Sequence, residues 1–231
     1  MLNNYKVEVK LSIYDIPESE WNKIYSKINN PFYEYFWFKN LEESKSVSRE
    51  TGWQPLYFIA YLNNEIYAIA PLFLKNHSYG EFIFDQSFAR LAQDLNLNYY
   101  PKLIGMSPYS PIEGYQFGYK QNLNKLEITR ILVNYIDDFA QKNNILSCNF
   151  LYVNKEWGEL LKDLGYSDWF NVSSEWENNN EINFGEFLSR FNSNQRKNIK
   201  KERKSILKEN INIETFRGES IDANIIDKMH Y

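Results

Sequence analysis

The 231 residues include one cysteine, seven prolines and nine glycines, and each scarcity closes off a class of protein. A lone Cys148 excludes an intrachain disulfide and fits a reducing cytoplasm. It stands in Ile145-Leu-Ser-Cys-Asn-Phe-Leu151, an apolar run that reads as a buried strand. No histidine lies nearby in sequence, so it reads as a core thiol rather than a nucleophile. The longest apolar runs are strand-sized, far short of the ~20 residues that span a bilayer. Met1-Leu-Asn-Asn-Tyr-Lys lacks the basic and apolar regions of a signal peptide. The expectation is a soluble, cytoplasmic protein with no transmembrane segment.

What is abundant points to a packed interior. Aromatic residues make up 17% of the chain, with 18 Tyr and 16 Phe, which places it among globular rather than disordered sequences. The length suits one large domain or two small ones. Val7–Tyr14 alternates as a strand, and Pro17 and Pro31 open helices. Two β-rich runs, 55–62 and 65–74, are separated by Asn63-Asn64, a hairpin signal. Residues 79–84 are expected to extend the sheet, Asp85 to cap a helix ending near Asn96, and 99–106 to form a short strand. Residues 123–143 form the clearest amphipathic helix, and a short helix over 155–164 stops at Gly165. Residues 166–177 read as strand-like and Asn178-Asn-Asn180 as a linker. Then come a short helix over 184–191, a helix capped by Ser193, a strand over 211–216 and a helix from Ile221. Strands alternating with helices predict an α/β fold with a mixed sheet.

Two segments carry candidate chemistry. In His77-Ser-Tyr-Gly-Glu-Phe-Ile-Phe-Asp85, Gly80 permits positive φ, and His77, Glu81 and Asp85 offer proton transfer or hydrogen bonds to a ligand. The plainer alternative is a turn closed by His77, a solvated Glu81 and a capping Asp85. Nearby, Tyr99-Tyr-Pro-Lys-Leu103 and Ser107-Pro-Tyr-Ser-Pro-Ile-Glu-Gly114 bring Lys102, Tyr109 and Ser110 onto a stiff loop, either a ligand holder or a packed crossover. The second segment is a basic helix in an acidic protein. Over 194–209 seven cations (Arg196, Lys197, Lys200, Lys201, Arg203, Lys204, Lys208) face two anions, a local +5 in a chain of −4. At about 100° per residue they fall within an arc of about 160°. Such a stripe suits phosphates or a nucleotide; it is also what a solvated helix face looks like.

Taken together, these segments resemble the FemAB-like, GNAT-related family associated with peptidoglycan biosynthesis or recognition. The resemblance rests on Pro31-Phe32 with Leu41-Glu-Glu-Ser44, Gly52-Trp-Gln-Pro55, His77–Glu81 with Phe84-Asp85, Tyr99–Leu103, Ser107–Pro111 with Gly114, Phe187-Leu188 and Arg196–Arg203, in order along the chain. It implies a GNAT-like first domain over 1–177, with a mixed sheet flanked by helices, and the beginning of a second GNAT-like domain over 181–231. Because members of the family are longer, it also implies an amino-terminal fragment. It implies an acyltransferase moving an acyl or aminoacyl group to an amine, with acyl-CoA or aminoacyl-tRNA as donor. Glu81 or Asp85 would be the base. His77, Tyr79, Gly80, Lys102, Tyr109, Arg196, Lys197, Lys200, Arg203 and Lys204 would bind substrate, and a phosphate-bearing small molecule or tRNA, not DNA, would be the partner. Alternatively, the chain is a phosphate- or RNA-binding module without catalysis. Two departures stand out: Glu175-Trp176 replaces a usual His-Trp pair, and no Gln/Arg-x-x-Gly-x-Gly/Ala pyrophosphate turn is present.

Overall fold

In a computed structural model, which describes residues 5–170, 172, 174–209 and 211–230, the chain divides into two compact units, Met1–Phe170 and Asn171–Tyr231. The first is a mixed sheet flanked by helices. Its strands are β1 (Lys6–Lys10), β2 (Trp53–Leu62), β3 (Glu65–Lys75), β4 (Lys102–Gly105), β5 (Gly118–Tyr119) and β6 (Cys148–Phe150), in the order β1-β2-β3-β4-β6 with β5 also on β3. All pairs are antiparallel except β4 with β6. The β2–β3 hairpin turns through Asn63 and Asn64, both at positive φ (50° and 63°). Asparagine tolerates that region, and the pair matches the twist of the flanking strands.

The helices of this unit are α1 (Glu18–Tyr25), α2 (Tyr35–Glu43), α3 (Gln86–Asp94), α4 (Lys125–Lys142) and α5 (Lys155–Lys162). Successive strand residues face opposite sides. Tyr57 of β2 meets Trp21 of α1 and Phe38 of α2, whereas Phe58 meets Tyr135 and Phe139 of α4. The sheet is therefore covered on both faces, which is why β2 reads as a nearly continuous apolar run. Glu42 of α2 ties this layer together, accepting from Tyr57 Oη (2.7 Å), Ser12 Oγ (2.6 Å) and the Ile13 amide (2.8 Å).

β4 and β5 both lie along β3, opposite Phe73–Lys75 and Ala68–Ile69 respectively, so they are one strand line interrupted by residues 106–117. That excursion folds back into the sheet. The Gly114 and Tyr115 amides donate to the Tyr152 carbonyl (2.8 and 2.9 Å), and the Tyr115 carbonyl accepts from Asn154 (2.8 Å). Tyr115 packs among Phe117, Phe150 and Trp157. Residues 79–84, expected to extend the sheet, instead belong to a turn-rich loop held by side-chain bonds. The sheet has two modest edges. β1 carries Lys6, Glu8 and Lys10 in ion pairs of 2.6 and 2.9 Å, and β6 has only three residues. Cys148 packs against the core from β6, where burial pushes its thiol up to about 12.

The second unit holds α6 (Phe184–Ser189), α7 (Ser193–Lys208) and α8 (Ala223–His230). The cap of α7 is Asn192 rather than Ser193: its side chain accepts from the Gln195 amide (3.0 Å), while Gln195 accepts from the Asn192 amide (3.2 Å). This reciprocal box outcompetes serine because it satisfies donors in both directions. The expected strand over 211–216 is irregular chain, as is 166–177 apart from residues 171 and 173, which lie outside the described residues.

Candidate functional site

The β3–β4 register sets Lys75 opposite Lys102, two buried lysines side by side. Like charges facing across a ladder repel, and isolated buried cations are costly. The loop after β3 answers with two carboxylates. Lys102 Nζ donates to Glu81 Oε2 (2.7 Å), Ser78 Oγ (2.8 Å) and Asp85 Oδ2. Asp85 Oδ2 also accepts from Tyr99 Oη (2.7 Å) and Ser78 Oγ (2.9 Å). Lys75 Nζ lies 3.4 Å over the Trp53 ring, donates to the Tyr79 carbonyl (3.0 Å) and stands 4.0 Å from Glu81 Oε1.

These surroundings separate Lys75, Glu81 and Asp85 chemically. Burial, reinforced by the Lys102 charge, lowers the Lys75 ammonium to about 7 against the pull of Glu81. Burial raises Glu81 despite its bond to Lys102. Burial also pushes Asp85 upward, but the bonds from Lys102, Tyr99 and Ser78 outweigh it and hold that carboxyl below its ordinary value. Asp85 is thus the fixed anion and Glu81 the stronger proton acceptor. Among the described residues, Glu81 Oε1 and Asp85 Oδ1 are buried without a hydrogen-bond partner.

An aromatic rim overlies this tetrad. Tyr79 and Phe84 are 80% and 83% exposed, and Phe82 and Tyr109 are also exposed. Phe82, Tyr109 and Tyr152 all adopt positive φ (56°, 57° and 51°), a costly region for bulky side chains. Each is held or engaged locally: Tyr152 Oη donates to the carbonyls of Glu81 (3.0 Å) and Phe82 (3.1 Å), and Tyr109 Oη to that of Ser46 (2.7 Å). Gly80, at φ +80°, lies so close to Tyr109 that a Cβ would come within 2.8 Å of its ring. His77 Nε2 donates to the Thr51 carbonyl (2.9 Å) and Nδ1 accepts from the Tyr79 amide (3.2 Å), which orients the ring and makes His77 a clasp.

The structure therefore brings together His77, Tyr79, Gly80, Glu81, Asp85, Lys102 and Tyr109. Asp85 occupies the N-cap position of α3 but makes no side-chain cap bond, because its carboxylate turns to Lys102. Sequence reading missed Lys75, Ser78, Tyr99 and Tyr152. A lysine closing the apolar run 65–74 was the available signal for the first.

Coenzyme A fits poorly in this unit. The helix that follows β5 is capped by Asn124, whose side chain accepts from the Glu127 amide (3.3 Å), and it carries Glu127 in its first turn with no glycine in residues 119–124. An acidic, self-capped helix start opposes a pyrophosphate. The candidate phosphate ligands Arg196, Lys197, Lys200, Arg203 and Lys204 lie on α7, in the second unit. Among the described residues, none of the seven α7 cations pairs with a carboxylate within 4.0 Å. The capping box already occupies the Gln195 amide at the helix start, and the cation side chains along α7 are the candidate phosphate ligands.

A mixed sheet covered by helices on both faces, with a buried charge tetrad at the β3–β4 end, defines an α/β protein with a polar site beneath an aromatic rim. The chain belongs to the FemAB-like family, described as peptidoglycan biosynthesis/recognition, whose model matches residues 12–231. A search of curated proteins finds no match. Among solved structures, it is similar to a ribosomal-protein-alanine N-acetyltransferase from Brucella melitensis biovar Abortus 2308 (8% identity, 74% of this chain and 99% of that one, TM-score 0.45). It is also similar to glucosamine-6-phosphate N-acetyltransferase from Arabidopsis thaliana (11% identity, 76% and 99%, TM-score 0.43). A third is a predicted acetyltransferase with acetyl-CoA from Clostridium acetobutylicum (14% identity, 79% and 97%, TM-score 0.41).

Proposed function

We propose that the chain is an acyltransferase of FemAB-like type, which moves an acyl or aminoacyl group to an amine in peptidoglycan precursor metabolism. The observation that carries this reading is the family match over residues 12–231, which spans both the tetrad and α7. On the same reading, residues 181–231 open a second GNAT-like domain, and α7 holds the phosphates of the donor or of a nucleotide-linked precursor through Arg196, Lys197, Lys200, Arg203 and Lys204.

In the transfer, the acceptor nitrogen forms a bond to the acyl carbon and the bond from that carbon to the donor's leaving oxygen or sulfur breaks. The proton lost by the amine passes to Glu81 and from it to the leaving oxygen or sulfur, which restores the carboxylate. Glu81 suits this role because its carboxyl is raised and one oxygen has no donor. Asp85 stays ionised and fixes Lys102. Glu81 is only 1% exposed, so on this reading the amine reaches it only with a displacement of the turn carrying Tyr79 and Gly80, beside the exposed Tyr79 and Tyr109.

Testing requires acyl donors and amine acceptors offered to the full chain, with thiol release followed for a coenzyme donor and product mass for aminoacyl-tRNA. Glu81→Gln should lower turnover by roughly two to four orders of magnitude, while Asp85→Asn should lower stability as well. A Glu81→Gln protein with wild-type turnover would remove Glu81 from the chemistry. The burial of both carboxylates favours a second reading, a binding module without catalysis. It predicts phosphate-ligand binding and no product with any donor.

A further inference from the structure

We infer that the second unit contains a nucleobase-stacking groove continuous with the basic stripe of α7, and that its ligand is the nucleoside diphosphate portion of a small molecule. This rests on the proposed phosphate role of α7 and adds the part that holds the base. The groove, about 470 Å³, is lined by Trp176, Ile182, Phe184 and Phe187, with Asn178 and Glu181 at its edge. That volume suits one small ligand. Its rings are ordered against one another: Trp176 stands edge-on to Phe187 at 6.0 Å, Phe184 lies 5.7 Å from Phe187, and Phe187 lies 5.0 Å from Phe191. Trp176 is nevertheless 63% exposed, leaving a large flat face free to stack.

Arg203 joins this groove to the helix, its guanidinium 4.0 Å over the Phe184 ring. At about 100° per residue, Lys200 and Arg196 lie within roughly 60° of Arg203 around α7, and at about 1.5 Å rise per residue they lie about 4.5 and 10 Å along it. A base in the groove thus places its two 5′-phosphates on Arg203 and Lys200, the first of them a planar fork suited to bidentate phosphate contact, while Arg196 is already engaged with the Phe191 carbonyl. The charge selects an anion. The opposite side of α7, Asn198, Glu202 and Ser205, is polar, and Ile199 and Ile206 make only a narrow edge between it and the stripe, too little apolar surface to sink into a membrane.

Stacking dominates over edge reading here, because the polar groups at the groove are already engaged. Asn178 Oδ1 accepts from the Glu181 amide (2.9 Å), and Glu181 pairs with Arg190 (3.1 Å) and accepts from the Asn179 amide (2.9 Å). Different bases should therefore bind alike.

Calorimetric titration of the full chain with adenosine 5′-diphosphate, uridine 5′-diphosphate, inorganic pyrophosphate and a single-stranded oligouridylate tests this. Both nucleotides should bind at least tenfold more tightly than pyrophosphate. Trp176→Ala and Phe184→Ala should each weaken nucleotide binding roughly tenfold, leave pyrophosphate affinity and helical circular dichroism unchanged, and be rescued by Trp176→Phe and Phe184→Tyr. If pyrophosphate binds as tightly as the nucleotides and the alanine variants change nothing, the base site is wrong while the phosphate role of α7 stands. If none of the probes binds, both fall. An oligouridylate that binds more than tenfold tighter than the diphosphates would overturn the small-molecule assignment in favour of RNA.

Discussion

Two lysines facing each other across β3 and β4 pose an electrostatic problem that the adjoining loop solves with Glu81 and Asp85. Removing one member of such a buried group exposes the cost of the others. Lys102→Met leaves both carboxylates without their common cation and should cost about 3–5 kcal/mol, read from the midpoint of urea unfolding. Lys75 behaves differently, because its folded-state value, about 7, lies below the ordinary 10.5. Between those limits the unfolded chain binds a proton that the folded protein lacks, so stability rises with pH across the window. Below pH 7 both states are protonated and the penalty is fully present. Lys75→Met should remove this rise, on the order of a few kcal/mol, so the variant-minus-wild-type difference in unfolding free energy should change from pH 7 to 10. A difference independent of pH would show that Lys75 is charged throughout.

At the scale of elements, α7 separates helix-end from side-chain recognition. Asn192→Ala breaks the capping box and should cost about 1 kcal/mol of helix stability, visible as lost helical signal on heating. Phosphate affinity should change little, because the proposed contacts come from side chains along the helix; a tenfold loss would place the phosphate at the helix start instead. The elements legible in the sequence were those with local causes. Leu126, Ile131, Leu132, Ile136 and Phe139 recur at helical spacing, and α4 spans Lys125–Lys142 as that pattern requires. Asn63-Asn64 encodes its own turn. The interrupted β4–β5 line was not legible, since Gly118-Tyr119 becomes a strand only by lying against Ala68-Ile69. In the candidate site, Glu81, Asp85 and Lys102 were found as chemistry-bearing residues, but their mutual neutralisation was not. It depends on a register that places residues 75 and 102 together.

For the whole molecule, the sheet's two faces are covered by helices, so what remains open is its rim. The rim bears on behaviour at high concentration. An unpaired strand edge is a template for another chain, and β1 is such an edge. Its outward lysines and glutamate, Lys6, Glu8 and Lys10, make a docking strand bury charge, while three-residue β6 offers too little ladder at the far side. Replacing Lys6, Glu8 and Lys10 together with threonine should leave the fold intact yet produce concentration-dependent fibrils detectable by thioflavin fluorescence. If solutions of that variant stay clear and non-fluorescent, something other than these charges protects the edge. If fibrils do form, the three ionic side chains on the short first strand are a colloidal safeguard, acting between molecules rather than within one.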